Sequence, residues 1–139
     1  MPTLLSVSVD SEDLDRDVRF WESVLATPCA AKLTWGAGAG SAFFELPDGV
    51  RLIVNAPPRS PRPPAWLGLE LHVDDPVAEH DRLASGGVAV SDVYDTDGGS
   101  RAFVVTAPNG QQFRVGTRWP LPVVDADHTG RAPKERDLR

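Results

Sequence analysis

The side chains best equipped for chemistry sit together in one short run, Leu67 to Asp75, which reads LGLELHVDD. Glu70 and His72 stand two residues apart in it. On a strand that spacing puts a carboxylate and an imidazole on the same face, roughly 6 to 7 Å apart. Such a pair has the residue types for general acid–base work, for anchoring a polar ligand, or for part of a metal site. A face simply turned to solvent would read the same way, so the alternatives stay open at this point. Other reactive residues carry less. His80 falls in a helical stretch and reads as a surface residue, and His128 has no evident role. Cys29 follows Pro28 with no basic neighbour to activate it, and reads as an inert small hydrophobe.

The element that must position Glu70 and His72 is a strand, because Leu67, Leu69, Leu71 and Val73 alternate with them as a core face. Asp75-Pro76 then opens a helix to about Ser85, with Asp75 as N-cap and Pro76 in the first turn; Gly86-Gly87 stops it. The same design occurs earlier. Thr3 to Asp10 alternates as a strand, and a helix over Glu12 to Ala26 carries Leu14, Val18, Trp21 and Leu25 as one apolar stripe, capped by Asp13 or Ser11. Further strands are expected at Ala30–Trp35, Ser41–Leu46, Val50–Asn55, Val88–Tyr94, Arg101–Thr106 and Gln111–Gly116. The Gly-Ala run Gly36 to Gly40 is expected to be a turn.

Two stretches read as connection. Ala56 to Ala65 holds five prolines in ten residues and is expected to be a semi-rigid connector. Residues 119–139 read as a polar, flexible tail. Ala42–Asn55 lies without gaps over Phe103–Gly116, placing Pro47 on Pro108, Gly49 on Gly110 and Val54 on Val115. The chain therefore reads as one unit over residues 1–118, built of a module at 3–55, the connector 56–65 and a second module at 66–118, each copy needing the other to close a core.

Composition narrows the function classes. The formal net charge is −6, and residues 120–139 hold four acids and four bases, so the folded part carries the imbalance. An acidic body without a basic stripe argues against nucleic acid and against an anionic membrane surface. No apolar run approaches the roughly 20 residues of a membrane helix, and the first residues lack a secretory pattern. A single cysteine fits a reducing cytoplasm, so a cytoplasmic location is expected.

DLDRDVRFWESVL (13–25), HVDDPVAEHDRLASGGV (72–88) and FVVTAPNGQQFRV (103–115), in that order and spacing, resemble the vicinal oxygen chelate superfamily of glyoxalase I, extradiol dioxygenases and bleomycin-resistance proteins. The resemblance covers about Thr3 to Arg118. It implies an α+β fold of two βαβββ modules whose mixed sheets form a cup, and commonly a homodimer. It also implies a divalent metal in the cup, with ligands from the first and last strand of each module. Those positions carry Ser6, Ile53, Gly68 and Arg114, none of them a normal ligand for a catalytic metal. No metal ligand is therefore assigned, and no cofactor is expected; the alternative is a divalent metal held in a displaced site through Glu70 and His72.

Strand parity sets the rest of the cup: Ser6, Ser8, Asp10, Arg51, Ile53 and Asn55 from the first module, Gly68, Glu70, His72, Gln112 and Arg114 from the second. The alternate positions, from Val7 and Val9 to Phe113 and Val115, are apolar and should meet the helices. Trp35 and Trp66 lie at element ends, where a flat ring can wall the hollow, as can Trp119. Ligand contacts are thus expected from Ser6, Ser8, Arg51, Asn55, Glu70, His72, Gln112, Arg114, Trp35 and Trp66, with Glu70 and His72 as candidate catalytic residues. The expected function is a metal-free small-molecule binder of the bleomycin-resistance type, sequestering a drug or metabolite and so serving antibiotic resistance. The alternative is an enzyme of the same fold (lyase, isomerase or dioxygenase-like) using Glu70 and His72. A third reading makes the tail and connector contact segments of a regulatory protein.

Overall fold

A computed structural model of the chain describes residues 2–59, 65–96 and 99–117. The expected tail, Trp119 and the middle of the proline connector lie outside the described residues.

Asp75 accepts a hydrogen bond from the Ala78 amide (3.1 Å), and Pro76 opens α2 (Pro76–Ser85), as its sequence requires. The helix ends where the Gly86 and Gly87 amides turn back onto its last carbonyls. α1 (Leu14–Leu25) is capped by Asp13, whose side chain accepts from the Arg16 amide. Ser11, the other candidate cap, instead accepts from the Asp13 amide one step earlier.

Around these helices lie two sheets. The first orders β1 (Ser6–Asp10), β4 (Arg51–Ala56), β3 (Ala39–Glu45) and β2 (Ala31–Gly36). The second orders β5 (Trp66–His72), β9 (Gln112–Gly116), β8 (Arg101–Thr106) and β6 (Ala89–Val90), with β7 (Tyr94–Asp95) also on β8. In each, the first strand runs parallel to the last and the remaining pairs are antiparallel. This is the α+β arrangement read from the sequence.

Two expectations are corrected. Gly36 to Gly40 is not wholly a turn: Gly36 ends β2, and Ala39 and Gly40 begin β3. Gly40 is needed there because a Cβ would stand 2.2 Å from the Leu33 carbonyl oxygen. The strand expected at Val88–Tyr94 is two short strands parted by Ser91–Val93.

The alternate apolar positions are buried as parity demands. Leu52, Val54 and Phe44 of the first sheet and Phe103, Val105, Phe113 and Val115 of the second join one core. α1 is the wedge between them. Trp21 stacks on Phe113 with ring centroids 5.1 Å apart, and Phe20 meets both rings edge-on. Phe20 and Val24 are buried alongside Leu14 and Trp21, so the helix is rolled a little from the expected stripe, leaving Val18 and Leu25 at the core margin. Because both sheets spend their apolar faces on one shared core, their polar faces point outward, away from it.

Candidate functional site

The outer face of the second sheet carries the richest chemistry. β5 meets β9 with Trp66 opposite Gln112 and Glu70 opposite Arg114, two residues more on β5 than on β9 across the irregularity that contains Gly68. Arg114 directs both Nε (3.1 Å) and Nη2 (2.5 Å) at the same Glu70 oxygen, Oε1. Tyr94, on the same outer face two strands away, acts electrostatically on the guanidinium. Partial burial lowers the Arg114 pKa, but the hydrogen bonds to Glu70 and the influence of Glu70 and Tyr94 together outweigh it, holding the group above its ordinary value. Nearby, His72 Nε2 lies 3.1 Å from Asp74 Oδ1. Gln112 donates from Nε2 to the Thr106 hydroxyl at 3.2 Å.

Of these side chains Glu70, His72 and Arg114 border a hollow of about 400 Å³, lined also by Leu71, Ala102, Gly116 and Thr117. Its floor is small for a reason. Gly116 pairs with Ala102, and a Cβ on Gly116 would fall 2.6 Å from the Arg101 carbonyl oxygen and 2.7 Å from the Ala102 methyl. The hollow therefore combines an apolar floor with a carboxylate, a guanidinium and an imidazole at its wall, an arrangement suited to holding a polar small molecule.

The first sheet turns a different face outward. Ser6, Ser8 and Asp10 pair with Arg51, Ile53 and Asn55 along β1 and β4. Arg51 donates to Glu45 at 2.7 Å. Asn55, only 4% exposed, accepts from the Ser41 hydroxyl at 2.7 Å, while its own amide nitrogen has no partner among the described residues. Beside these polar groups lie Ile53, Phe43 opposite it, and Leu33 opposite Ser41. Trp35 sits in a bulge of β2 and is 64% exposed. This face is more apolar than the sequence reading supposed, because β2 and β3 contribute Leu33 and Phe43 to it.

The candidate residues thus divide into two half-sites. Glu70, His72, Gln112 and Arg114 are brought together on one sheet, with exposed Trp66 at the start of β5. Ser6, Ser8, Arg51 and Asn55 are brought together on the other, with Trp35 at its edge. Within one chain the shared core stands between the two faces. Tyr94, Leu33 and Phe43 were missed by sequence reasoning. Parity along the second and third strands of each module would have offered Leu33 and Phe43; Tyr94 needed knowledge of a local irregularity.

A divalent metal at the family positions would meet the Ser6 hydroxyl, the Ile53 alkyl chain, the bare backbone of Gly68 and the Arg114 guanidinium. The residues present do not fit it. Among the described residues no three of His, Cys, Asp and Glu come together in a metal-holding group. Glu70, the carboxylate nearest those positions, is engaged by Arg114.

The family model described as a glyoxalase-like domain matches residues 6–116. Among solved structures, TnmS3, an antibiotic binding protein from Streptomyces sp. CB03234, is similar over 84% of this chain and 96% of its own, with 21% identity and a TM-score of 0.69. A glyoxalase/bleomycin resistance protein from Catenulispora acidiphila covers 84% and 99% at 18% identity and 0.66. A lactoylglutathione lyase from Agrobacterium tumefaciens covers 83% and 92% at 17% identity and 0.61. No curated protein sequence matches. At these identities the neighbours speak to the fold.

Proposed function

We propose that this chain, which belongs to the glyoxalase-like domain family of the vicinal oxygen chelate superfamily, is a small-molecule binder whose cup is completed by a second copy of itself. The observation that carries this reading is the outward turn of two unlike half-sites from one shared core. A half-site on an open sheet face buries little of a ligand; two facing half-sites bury most of it. Among the described residues both sheets end in a strand paired on one side only, β1 and β5. Leu4 and Leu5, just before β1, are 66% and 73% exposed, and Trp66 starts β5. Exposed apolar residues along open edges are what an isologous contact covers.

In this reading the sheet of one copy supplies Leu33, Phe43, Ile53 and Trp35 as an apolar wall, and the sheet of its partner supplies the ion pair and His72. The net charge of −6 favours cationic compounds. One solved neighbour bears the name of an antibiotic binding protein, and drug sequestration is the activity proposed here. The test is paired. Sedimentation velocity should give a dimer that Leu5→Asp converts to a monomer of unchanged circular dichroism. Calorimetric titration with cationic aromatic drugs should show binding to the dimer and not to that variant. A monomeric wild-type protein that binds nothing removes the reading.

The enzyme reading has one specific support: Glu70 and His72 both line the 400 Å³ hollow. There the Glu70 carboxyl group, paired with Arg114, would take a proton from a bound ligand, and His72 would return one. Elemental analysis of protein prepared without chelator separates the displaced-metal form of that reading, since it requires a stoichiometric divalent ion.

A further inference from the structure

We infer that the interruption in the second strand of the second module is a one-residue bulge that turns Tyr94 onto the outer face, where it serves as the standing partner of Arg114 while Glu70 is exchanged to a ligand nitrogen. The bulge itself is independent of the binding reading; the exchange rests on it.

The register shows the insertion. Val90 lies opposite Val105, and Tyr94 lies opposite Ala102, so four steps on one strand span three on the other. An unbroken register would set Tyr94 opposite Arg101, on the parity of Phe103 and Val105, which face the core. The extra residue sets it opposite Ala102, on the parity of Val104 and Arg114. The apolar pattern agrees: Val88, Val90 and Val93 all pack on the core, spaced by two and then by three. Ser91 builds the bulge. Its amide donates to the Val104 carbonyl at 2.9 Å, and its hydroxyl oxygen accepts from the Val104 amide at 2.8 Å, replacing a strand carbonyl.

The re-aimed phenol has a use there. Arg114 spends Nε and Nη2 on a single Glu70 oxygen, and the Glu70 side chain is the more exposed member of the pair, 48% against 26%. An incoming amine or amidine therefore meets the carboxylate first. If Glu70 turned to it, a half-buried guanidinium would lose the carboxylate that takes two of its donors. Tyr94, set on the same face by the register and acting on the guanidinium, is the group placed to hold it. Tyr94 is a positioning residue for Arg114, and the ligand class it serves is one presenting N–H donors to Glu70.

Tyr94 is the single tyrosine of the chain, so 3-fluorotyrosine gives one fluorine resonance to follow. That resonance should move in Arg114→Lys and in Ser91→Ala and stay in place in Ser91→Thr, which keeps the hydroxyl. With proflavine, a planar cation bearing two amino groups, the resonance should move on titration. Tyr94→Phe should weaken proflavine about tenfold, the scale of one hydrogen bond to a charged group. A resonance indifferent to Arg114→Lys and Ser91→Ala overturns the inference. Equal proflavine affinity in wild type and Tyr94→Phe, with an unmoved resonance at saturation, overturns the exchange step and leaves the binding reading standing. A wild type that ignores proflavine while the resonance answers Arg114→Lys and Ser91→Ala upholds the Arg114 contact and overturns the cation-binding reading.

Discussion

Phe113→Ala is the perturbation on which most of this structure depends. Phe113 sits on β9 of the second sheet, fully buried, with the Trp21 ring of α1 stacked on it 19° from parallel and Phe20 edge-on at 6.3 Å. It is the contact through which a helix that follows the first sheet's opening strand holds the second sheet. Truncation removes a buried aromatic and leaves a cavity that the two other rings border, for a cost of about 3 to 5 kcal/mol. The lost aromatic pairing lies within that range. For a chain of this size the loss lowers Tm by roughly 10 to 15 °C. Phe113→Leu, which refills most of the volume, should cost about 1 to 2 kcal/mol. Urea unfolding followed by tryptophan fluorescence and circular dichroism measures both variants. A cost below about 1 kcal/mol for Phe113→Ala would refute the reasoning, because it would mean that α1 does not bridge the sheets. The outward direction of the two polar faces, and with it the need for a second copy, would then have no support.

The remaining predictions follow from single contacts. Asp75→Ala removes the side chain that accepts from the Ala78 amide, and should cost about 1 kcal/mol by urea unfolding. Gly116→Ala forces a methyl into 2.6 Å of the Arg101 carbonyl oxygen and should destabilise by roughly 1 to 3 kcal/mol; an unchanged melting point would contradict the β8–β9 register. Glu70→Gln should change unfolding stability by less than about 1 kcal/mol, since the pair with Arg114 is partly solvated, yet it should abolish any cation preference in calorimetric titration. Lys32 hydrogen-bonds Asp15 and its charge adds to the effect, so the Asp15 carboxyl titrates below its usual 3.8. A depressed folded pKa gives stability that is present above the unfolded value and lost as pH falls through the folded one. Stability on the acid side should therefore fall more steeply in wild type than in Asp15→Asn when urea midpoints are compared from about pH 5 downward.

Much of the fold was legible because it rests on local physics. Period-two alternation at Leu67–His72 and Ser6–Asp10 fixed which side chains share a face, and the core followed. Asp75-Pro76 and Asp13 marked helix starts that the backbone adopts. The gapless internal alignment is visible as two hairpins, β3–β4 and β8–β9, closed at Pro47–Gly49 and Pro108–Gly110. What failed to show was non-local. The two-residue shift along β5 and the single insertion at Ser91–Val93 exist only relative to the strands opposite. A run such as VAVSDVY carries no statement about its partner, so Tyr94 could not be placed on either face. The roll of α1 that buries Phe20 and Val24 likewise answers to the ring of Phe113, ninety residues away.

The internal repeat also gives the proposed site a sense of direction. In the internal alignment Ile53 and Arg114 are equivalent, and their parallel neighbours are Ser8 and Glu70. One pair of equivalent positions is therefore a hydroxyl beside a branched alkyl chain in the first sheet, and a carboxylate beside a guanidinium in the second. A cup made from two identical halves would accept a ligand in either of two orientations at equal free energy. With these halves, a charged or hydrogen-bonding end placed against Ile53 leaves the Glu70–Arg114 side facing an apolar end, and both desolvation costs are unmet. The reverse placement satisfies each. In the proposed two-copy cup an amphiphilic ligand would thus be read in one direction, its polar end toward β5 and β9 and its flat apolar part toward β2 and β3, as a direct consequence of where the two sheets differ.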